Sequence, residues 1–343
     1  MVIETAGQAD AVTVHRLGYL AHVTGRLAEA ESRYRAAIAL QPAFPEAMTN
    51  LGLVLRALGR LNESERMQRE TLRLAPDFAD AHNNLGLVLH DLGRLAEAED
   101  LVRGALRLAP EHGGAWLNLG TIRQTRGASA EAEQCYRQAC RFGADAAMAG
   151  SNLGLALLEQ GRVEEAERCC RDAVWAKPDH APAQVNLAMT LLLTGNYAEG
   201  WRRYEARWRV PPLSAAIPAF AAPQWDGTQI LSGRTMLLWA EQGFGDVLQF
   251  CRYATALADA GARIILAVPQ PLIRLLSSVS GVSQVVAVEQ IAGERNVRRR
   301  ESALQNKEPE HFLADTRLEN APGEVPAGTL PPFDLHCPLM GLP

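Results

Sequence analysis

A self-similarity of 34 residues constrains this chain more than any other feature. The triplet Asn-Leu-Gly stands at Asn50, Asn84, Asn118 and Asn152; Asn186-Leu187-Ala188 continues it and Arg16-Leu17-Gly18 precedes it, each step being 34 residues. Seven residues after the first glycine column comes a second: Gly25, Gly59, Gly93, Gly127, Gly161 and Gly195. A small-residue column holds Ala30, Ser64, Ala98, Ala132, Ala166 and Gly200. A proline column holds Pro42, Pro76, Pro110, Pro178 and Pro212, with Ala144 as the departure. A fixed period of this length repeats one supersecondary unit that cannot bury its apolar face alone.

The columns specify a helical hairpin. Small residues in both helices let the axes approach to about 8–10 Å, the second glycine sits at the turn, and proline after the second helix stops it running on. Stacked hairpins build an α-solenoid with a concave groove lined by the first helices. Period, columns and closing proline resemble the tetratricopeptide repeat, in six units at about 11–44, 45–78, 79–112, 113–146, 147–180 and 181–214. A mainly α fold is expected over 11–214.

Composition narrows the partners. Hydrophobic residues make up 48% and charged residues 21%, which excludes wholesale disorder. A net charge of −5 provides no global positive field, so no nucleic acid is expected. No apolar run approaches the roughly 18 residues of a membrane span, and the amino terminus has no basic or apolar leader, so a cytoplasmic protein is expected. The six cysteines form no CxxC pair and have no zinc-site spacing. Cys135 and Cys169 lie one period apart, and the set is read as buried inert thiols with no metal or bound cofactor. His22 and His90 share the twelfth position of the unit, while His82 and His180 fall out of register; all four are read as surface or groove-lining groups.

Asparagine occupies the sixth position in five of the six units: Asn50, Asn84, Asn118, Asn152 and Asn186. Its amide can bond both the C=O and N–H of an extended backbone regardless of sequence. The column resembles the asparagine ladder of the O-linked N-acetylglucosamine transferase superhelix, which implies a protein or extended peptide in the groove. Equally, each amide could bond across to a neighbouring helix. No lysine-rich column forms a carboxylate clamp, which weakens a chaperone-adaptor role.

After Pro211-Pro212 the pattern changes, with a linker expected at 215–229 and new material opening at Trp225-Asp226-Gly227. The run RTMLLWAE reads as a strand, VLQFCRYATALADAG as a helix, ARIILAV as a strand, about 271–279 as a helix and VSQVVAV as a strand. Continuous apolar strands alternating with helices predict a parallel sheet covered on both faces, a partial α/β Rossmann-like domain over 230–343. A polar insertion spans about 289–330, with Arg298-Arg299-Arg300 read as a solvated run. The turn Gln242-Gly243-Phe244-Gly245-Asp246 is not a dinucleotide fingerprint. Leu248 stands at the third glycine position, and the second strand ends Val268-Pro269-Gln270 without an acid for a ribose.

The run LLWAEQGFGDVLQFCRYATALADAGARIILAVPQPLIRLL, the Trp225-Asp226-Gly227 lead-in and the closing FDLHCPLMGLP resemble the glycosyltransferase domain that follows tetratricopeptide repeats in many bacterial proteins. That domain is similar to the heptosyltransferases, family 9 of the GT-B glycosyltransferases. The resemblance implies Asp246 as general base toward an acceptor hydroxyl, Glu241 and Gln242 lining the same pocket, and Gly243 and Gly245 on the acceptor side. It also implies a glycan acceptor and a nucleotide-sugar donor. Asp246 could instead be a helix cap, and Arg252 a surface cation or the partner of Glu241. Gly341 stands where the family has serine. The second Rossmann half that would hold the donor is expected to be missing after Pro343. The expected function is therefore a peptide-binding scaffold fused to the N-terminal part of a transferase-like domain, inactive as an isolated chain; the alternative is a functional inverting glycosyltransferase.

Overall fold

The computed structural model describes residues 10–211, 213, 220–241, 243–290 and 330–341. Gln242, Arg298-Arg299-Arg300 and nearly all of the polar insertion lie outside the described residues. The chain divides into two compact units, one ending at Tyr204 and the other beginning at Glu205.

The first unit is six helical hairpins: α1 Ala11–Val23 with α2 Leu27–Leu40, α3 Pro45–Ala57 with α4 Leu61–Leu74, α5 Ala79–Asp91 with α6 Leu95–Leu108, α7 Gly113–Thr125 with α8 Ser129–Arg141, α9 Ala146–Glu159 with α10 Val163–Ala176, and α11 Ala181–Leu193 with α12 Tyr197–Tyr204. Every turn is closed the same way. The glycine of the second column adopts φ of +75° to +84°. The next N–H then reaches back five residues, as in Arg60 to Leu55 O and Arg94 to Leu89 O, at 2.9 and 2.8 Å. A Cβ would oppose that left-handed conformation.

The first glycine column has a different task. A Cβ built on Gly52 would lie 2.2 Å from Gln68 Nε2, on Gly86 2.5 Å from Val102 Cγ2, on Gly120 2.5 Å from Tyr136 Cε1 and on Gly154 2.3 Å from Cys170 Sγ. Position 8 of the first five units thus receives the side chain at position 24 of the same unit, where the two helices cross. Ala30, Ser64, Ala98, Ala132, Ala166 and Gly200 are buried at the same crossing. Between hairpins, each second helix packs on the next first helix, and successive first helices touch one another from α1 through α11, which places them on the inner side of the stack.

The sixth hairpin is shorter than expected. Helix α12 has eight residues against 13 or 14 in the others, because Glu205–Arg209 tightens into a 3-10 turn that belongs to the second unit. That unit holds a parallel sheet of β1 Thr235–Trp239, β2 Arg263–Val268, β3 Val282–Ala287 and β4 Leu335–Pro338, in the order β3-β2-β1-β4. The first three strands follow the apolar runs of the sequence. The fourth comes from the closing segment, which carries no strand-length apolar run. The single helix expected after β1 is two, α13 Phe244–Phe250 and α14 Tyr253–Asp259. Cys251 and Arg252 between them keep right-handed helical backbone, so the break is one tightened turn. The expected helix at 271–279 is a 3-10 turn followed by α15 Ile273–Leu276. Residues 220–229 are not a free linker: Trp225 N–H donates to His336 O at 2.8 Å and His336 N–H to Pro223 O at 3.2 Å. This extended segment covers the outer edge of β4, which would otherwise present unpaired backbone groups.

The crossing at position 8 should be intolerant of a methyl group. Gly86→Ala, which also places Cβ 3.0 Å from Ala98 O, is expected to cost about 1–3 kcal/mol through overpacking. An earlier urea midpoint in helical circular dichroism is the readout.

Candidate functional site

Interior first helices expose wholly or in part positions 2, 9, 12 and 13 of the unit, and position 6 except at Asn84. Among these runs an apolar column at position 9: Tyr19, Leu53, Leu87, Leu155 and Met189, interrupted by Thr121. Beside it stands the asparagine column. Asn50 Nδ2 lies 2.9 Å from His15 Nε2, Asn118 Nδ2 donates to Asn83 Oδ1 at 2.9 Å, and Asn186 Nδ2 donates to the Ser151 carbonyl and hydroxyl at 3.1 and 2.9 Å. Each partner lies 35 residues back, at position 5 of the preceding unit. The Asn84 side chain accepts only a long bond from its neighbour Asn83, and the Asn152 side chain, whose counterpart 35 residues back is Leu117, has no hydrogen bond among the described residues. Asn84 and Asn186 are buried, whereas Asn50, Asn118 and Asn152 are half-buried. The amides of Asn50 and Asn118 therefore tie hairpins together while keeping one N–H and the carbonyl oxygen.

A second row uses the same offset. Arg56 pairs with Asp91 at 2.5 Å, His90 Nε2 meets Thr125 Oγ1 at 3.0 Å, and Gln124 donates to Glu159 at 3.1 Å. These pairs escape a reading that aligns columns at 34, because the contact joins one column to the next.

The second helices carry an ion-pair ladder that the column reading also missed. Arg60 binds Glu63 of its own unit and Glu31 of the preceding one; Arg94 does the same with Glu97 and Glu65, and Arg162 with Glu165 and Glu133, at 2.6–2.9 Å. Burial pushes Glu31, Glu65 and Glu133 up, but hydrogen bonds from Arg35 and Arg60, from Arg69 and Arg94, and from Gln160 and Arg162 outweigh it and hold all three carboxyls below the ordinary range. A carboxyl depressed in the folded state stabilises above its unfolded pKa of about 4.3 and loses that contribution as pH falls through the folded value. The solenoid's melting temperature should thus drop between about pH 5 and 3, and Glu65→Gln with Glu133→Gln should flatten that slope.

In the second unit, the residues expected to act on a substrate separate. Glu241, just past β1, is 1% exposed and forms a bidentate pair with Arg207, 2% exposed, at 3.0 and 3.1 Å; it also accepts the Met340 N–H at 3.0 Å. Burial pushes its carboxyl up, opposed by the guanidinium and the N–H. Its partner is therefore Arg207. Arg252, read as a surface cation or the partner of Glu241, is exposed and lies over the Tyr253 ring at 5.2 Å. Asp246 is half-buried in the first turn of α13 and its carboxylate has no hydrogen bond among the described residues; the cap position belongs to Gly243, so the capping alternative is not realised. Gly243 and Gly245 are exposed, with open space where a Cβ would stand. Cys140 is exposed and Cys169 half-buried, against the expectation that every thiol is interior; the other four are buried. Among the described residues, no three His, Cys, Asp or Glu side chains converge as metal ligands, and no helix is long and apolar enough to cross a membrane. Removing one partner of a buried pair strands the other, so Glu241→Ala should destabilise the second unit by about 3–5 kcal/mol. Asp246→Asn should change little, within about 0.5 kcal/mol, with tryptophan fluorescence in denaturant distinguishing the two.

Models of the tetratricopeptide repeat match residues 46–75, 77–142 and 151–209. Comparison with curated protein sequences gives no match. Among solved structures, the chain is similar to the APC/C hetero-tetramer Cut9-Hcn1 at TM-score 0.56, with 15% identity over 60% of this chain and 41% of that one. It is also similar to pilF of Pseudomonas aeruginosa at 0.50, with 17% identity over 59% and 92%. A tetratricopeptide repeat protein of Thermus thermophilus gives 0.49, with 23% identity over 53% and 99%. The helical unit of this chain is a solenoid of tetratricopeptide repeats.

Proposed function

We propose that the chain is a binding scaffold whose inner groove holds an extended polypeptide. The observation that carries this reading is the apolar column Leu53, Leu87, Leu155 and Met189, left half-exposed along the inner stripe although neighbouring positions are buried. Stacked repeats advance by about 10 Å, or about three residues of extended chain. One apolar side chain in three would then meet one leucine per repeat, and the free amide groups of Asn50, Asn118 and Asn152 would meet the peptide backbone. A column of this kind gives register without demanding one sequence. Selecting from a phage-displayed random dodecapeptide library on the full chain should enrich apolar residues at a spacing of about three. Leu87→Arg should weaken the selected peptides at least tenfold with helical content retained; undiminished binding would remove the groove from the reading.

A second reading concerns the sheet unit. The parallel order β3-β2-β1-β4 reverses direction between β1 and β4, and ligands of open α/β sheets sit at the carboxyl ends beside such a reversal. Unpartnered Asp246 lies just beyond that end of β1 and suits a general base acting on a glycan hydroxyl, with a nucleotide sugar as donor. Glu241, committed to Arg207 and Met340, holds this edge together instead of meeting substrate. Release of nucleotide from UDP- or ADP-sugars by the full chain, abolished in Asp246→Asn, is the expected result. Release unaffected by that substitution would take Asp246 out of the chemistry.

A further inference from the structure

Position 11 of the repeat is a core position: Leu55, Leu89, Leu157 and Leu191 are buried there, with Ala21 in the first unit. The fourth unit departs from this and carries Arg123. Its side chain is 17% exposed. Its Nε is buried without a hydrogen bond, 3.5 Å from both Glu99 and Glu131, and Nη1 reaches Cys135 Sγ at 3.4 Å. A charged group has replaced apolar packing, at a desolvation cost that the neighbouring carboxylates only partly offset.

Around Arg123 a cavity of about 550 Å³ opens between α6, α7 and α8. The corresponding recess between α2, α3 and α4, where Leu55 keeps position 11, measures about 290 Å³ and has Glu63 and Glu70 in its wall. The larger cavity has Arg103, Arg107 and Arg123 in its wall and no carboxylate among its lining residues. Nearby, Glu99 is shared by Arg103, Arg123 and Arg126, and Glu131 approaches Arg123 alone. Arg107 has no ion pair among the described residues. Four guanidiniums thus face two carboxylates. Leu106, Leu119 and Trp116 supply apolar wall, and the indole N–H of Trp116 is already spent on Pro110 O at 2.8 Å, leaving its ring for apolar contact.

We propose that this recess binds an organic anion: an oxyanion head taken by Arg107 and Arg123, on a flat or aliphatic stem packed against Trp116 and Leu106. Arginine suits a planar oxyanion because its N–H groups form a fork. A cavity of this size falls in the range of small-ligand sites. The residues come mainly from second helices and the buried side of α7, so the site does not depend on the inner groove. The same chemistry is offered by a free aromatic acid and by an acidic side chain beside an aromatic residue in a polypeptide.

Fluorescence titration of the full chain with 8-anilinonaphthalene-1-sulfonate tests this. Saturable binding is expected, weakened at least tenfold by Arg107→Ala and by Arg123→Leu, while uncharged N-phenyl-1-naphthylamine is insensitive to Arg107→Ala. Arg107 is exposed, so its variant keeps the fold. Arg123→Leu installs the residue that four of the other five units carry and should leave the melting temperature equal or higher. Displacement of the probe by 3-phenylpropionate assigns a free acid, and displacement by acetyl-Phe-Glu-amide alone assigns a polypeptide side chain. Displacement by neither, or sulfonate binding indifferent to both substitutions, would overturn the proposal.

Discussion

The close crossing of two helices within each repeat is the constraint on which the solenoid depends. At position 8 of the first five units there is room for a hydrogen atom only, since the side chain from position 24 fills the space a Cβ would need; the sixth unit, with its shorter second helix, carries Ala188. The occupant of position 24 varies widely, from Tyr34 and Tyr136 to Gln68, Val102 and Cys170. The steric demand lies on the glycine, and whatever inserts opposite is set by the local core. Every other contact in the unit follows from that approach, because it lets both helices share one apolar seam with the next hairpin.

Polar pairing then joins hairpin to hairpin. On the inner side, amides, an imidazole and an ion pair link residues 35 apart; on the second helices, arginine at position 16 bridges glutamates of two consecutive units. The ladder is broken where Ala128 replaces that arginine, and Arg126 takes over Glu99. Two of the fourth unit's departures, at positions 16 and 11, crowd guanidinium groups around Glu99. In a repeat protein such departures from the consensus are where a distinct surface can arise without disturbing the stack.

The second unit is organised around another fixed pair. Arg207 and Glu241 are each almost wholly buried, and Met340 N–H adds a third contact to the same carboxylate. This cluster joins the ends of β1 and β4 to the 3-10 turn that follows the repeats. Of the two acids read from sequence as lining one pocket, Glu241 is held by Arg207 and the Met340 N–H, whereas the Asp246 carboxylate stays unpartnered a few residues away. Both are carboxylates within six residues of sequence, and their surroundings separate them.

Periodicity alone determined the hairpins, their turns and the crossing glycines, continuous apolar runs marked β1 and β2, and the apolar end of Val282–Ala287 marked β3, because these rest on local backbone preference and on spacing within one unit. Tertiary structure decided which asparagines remain available, which arginine meets Glu241, where the fourth strand pairs and where a cavity opens. Asn50 and His15, Arg207 and Glu241, Thr235 and Asp334 are neighbours only through space. Hydrogen bonding and desolvation act over a few ångströms, so a residue type carries its chemistry in the sequence but acquires its role from whatever the fold brings beside it.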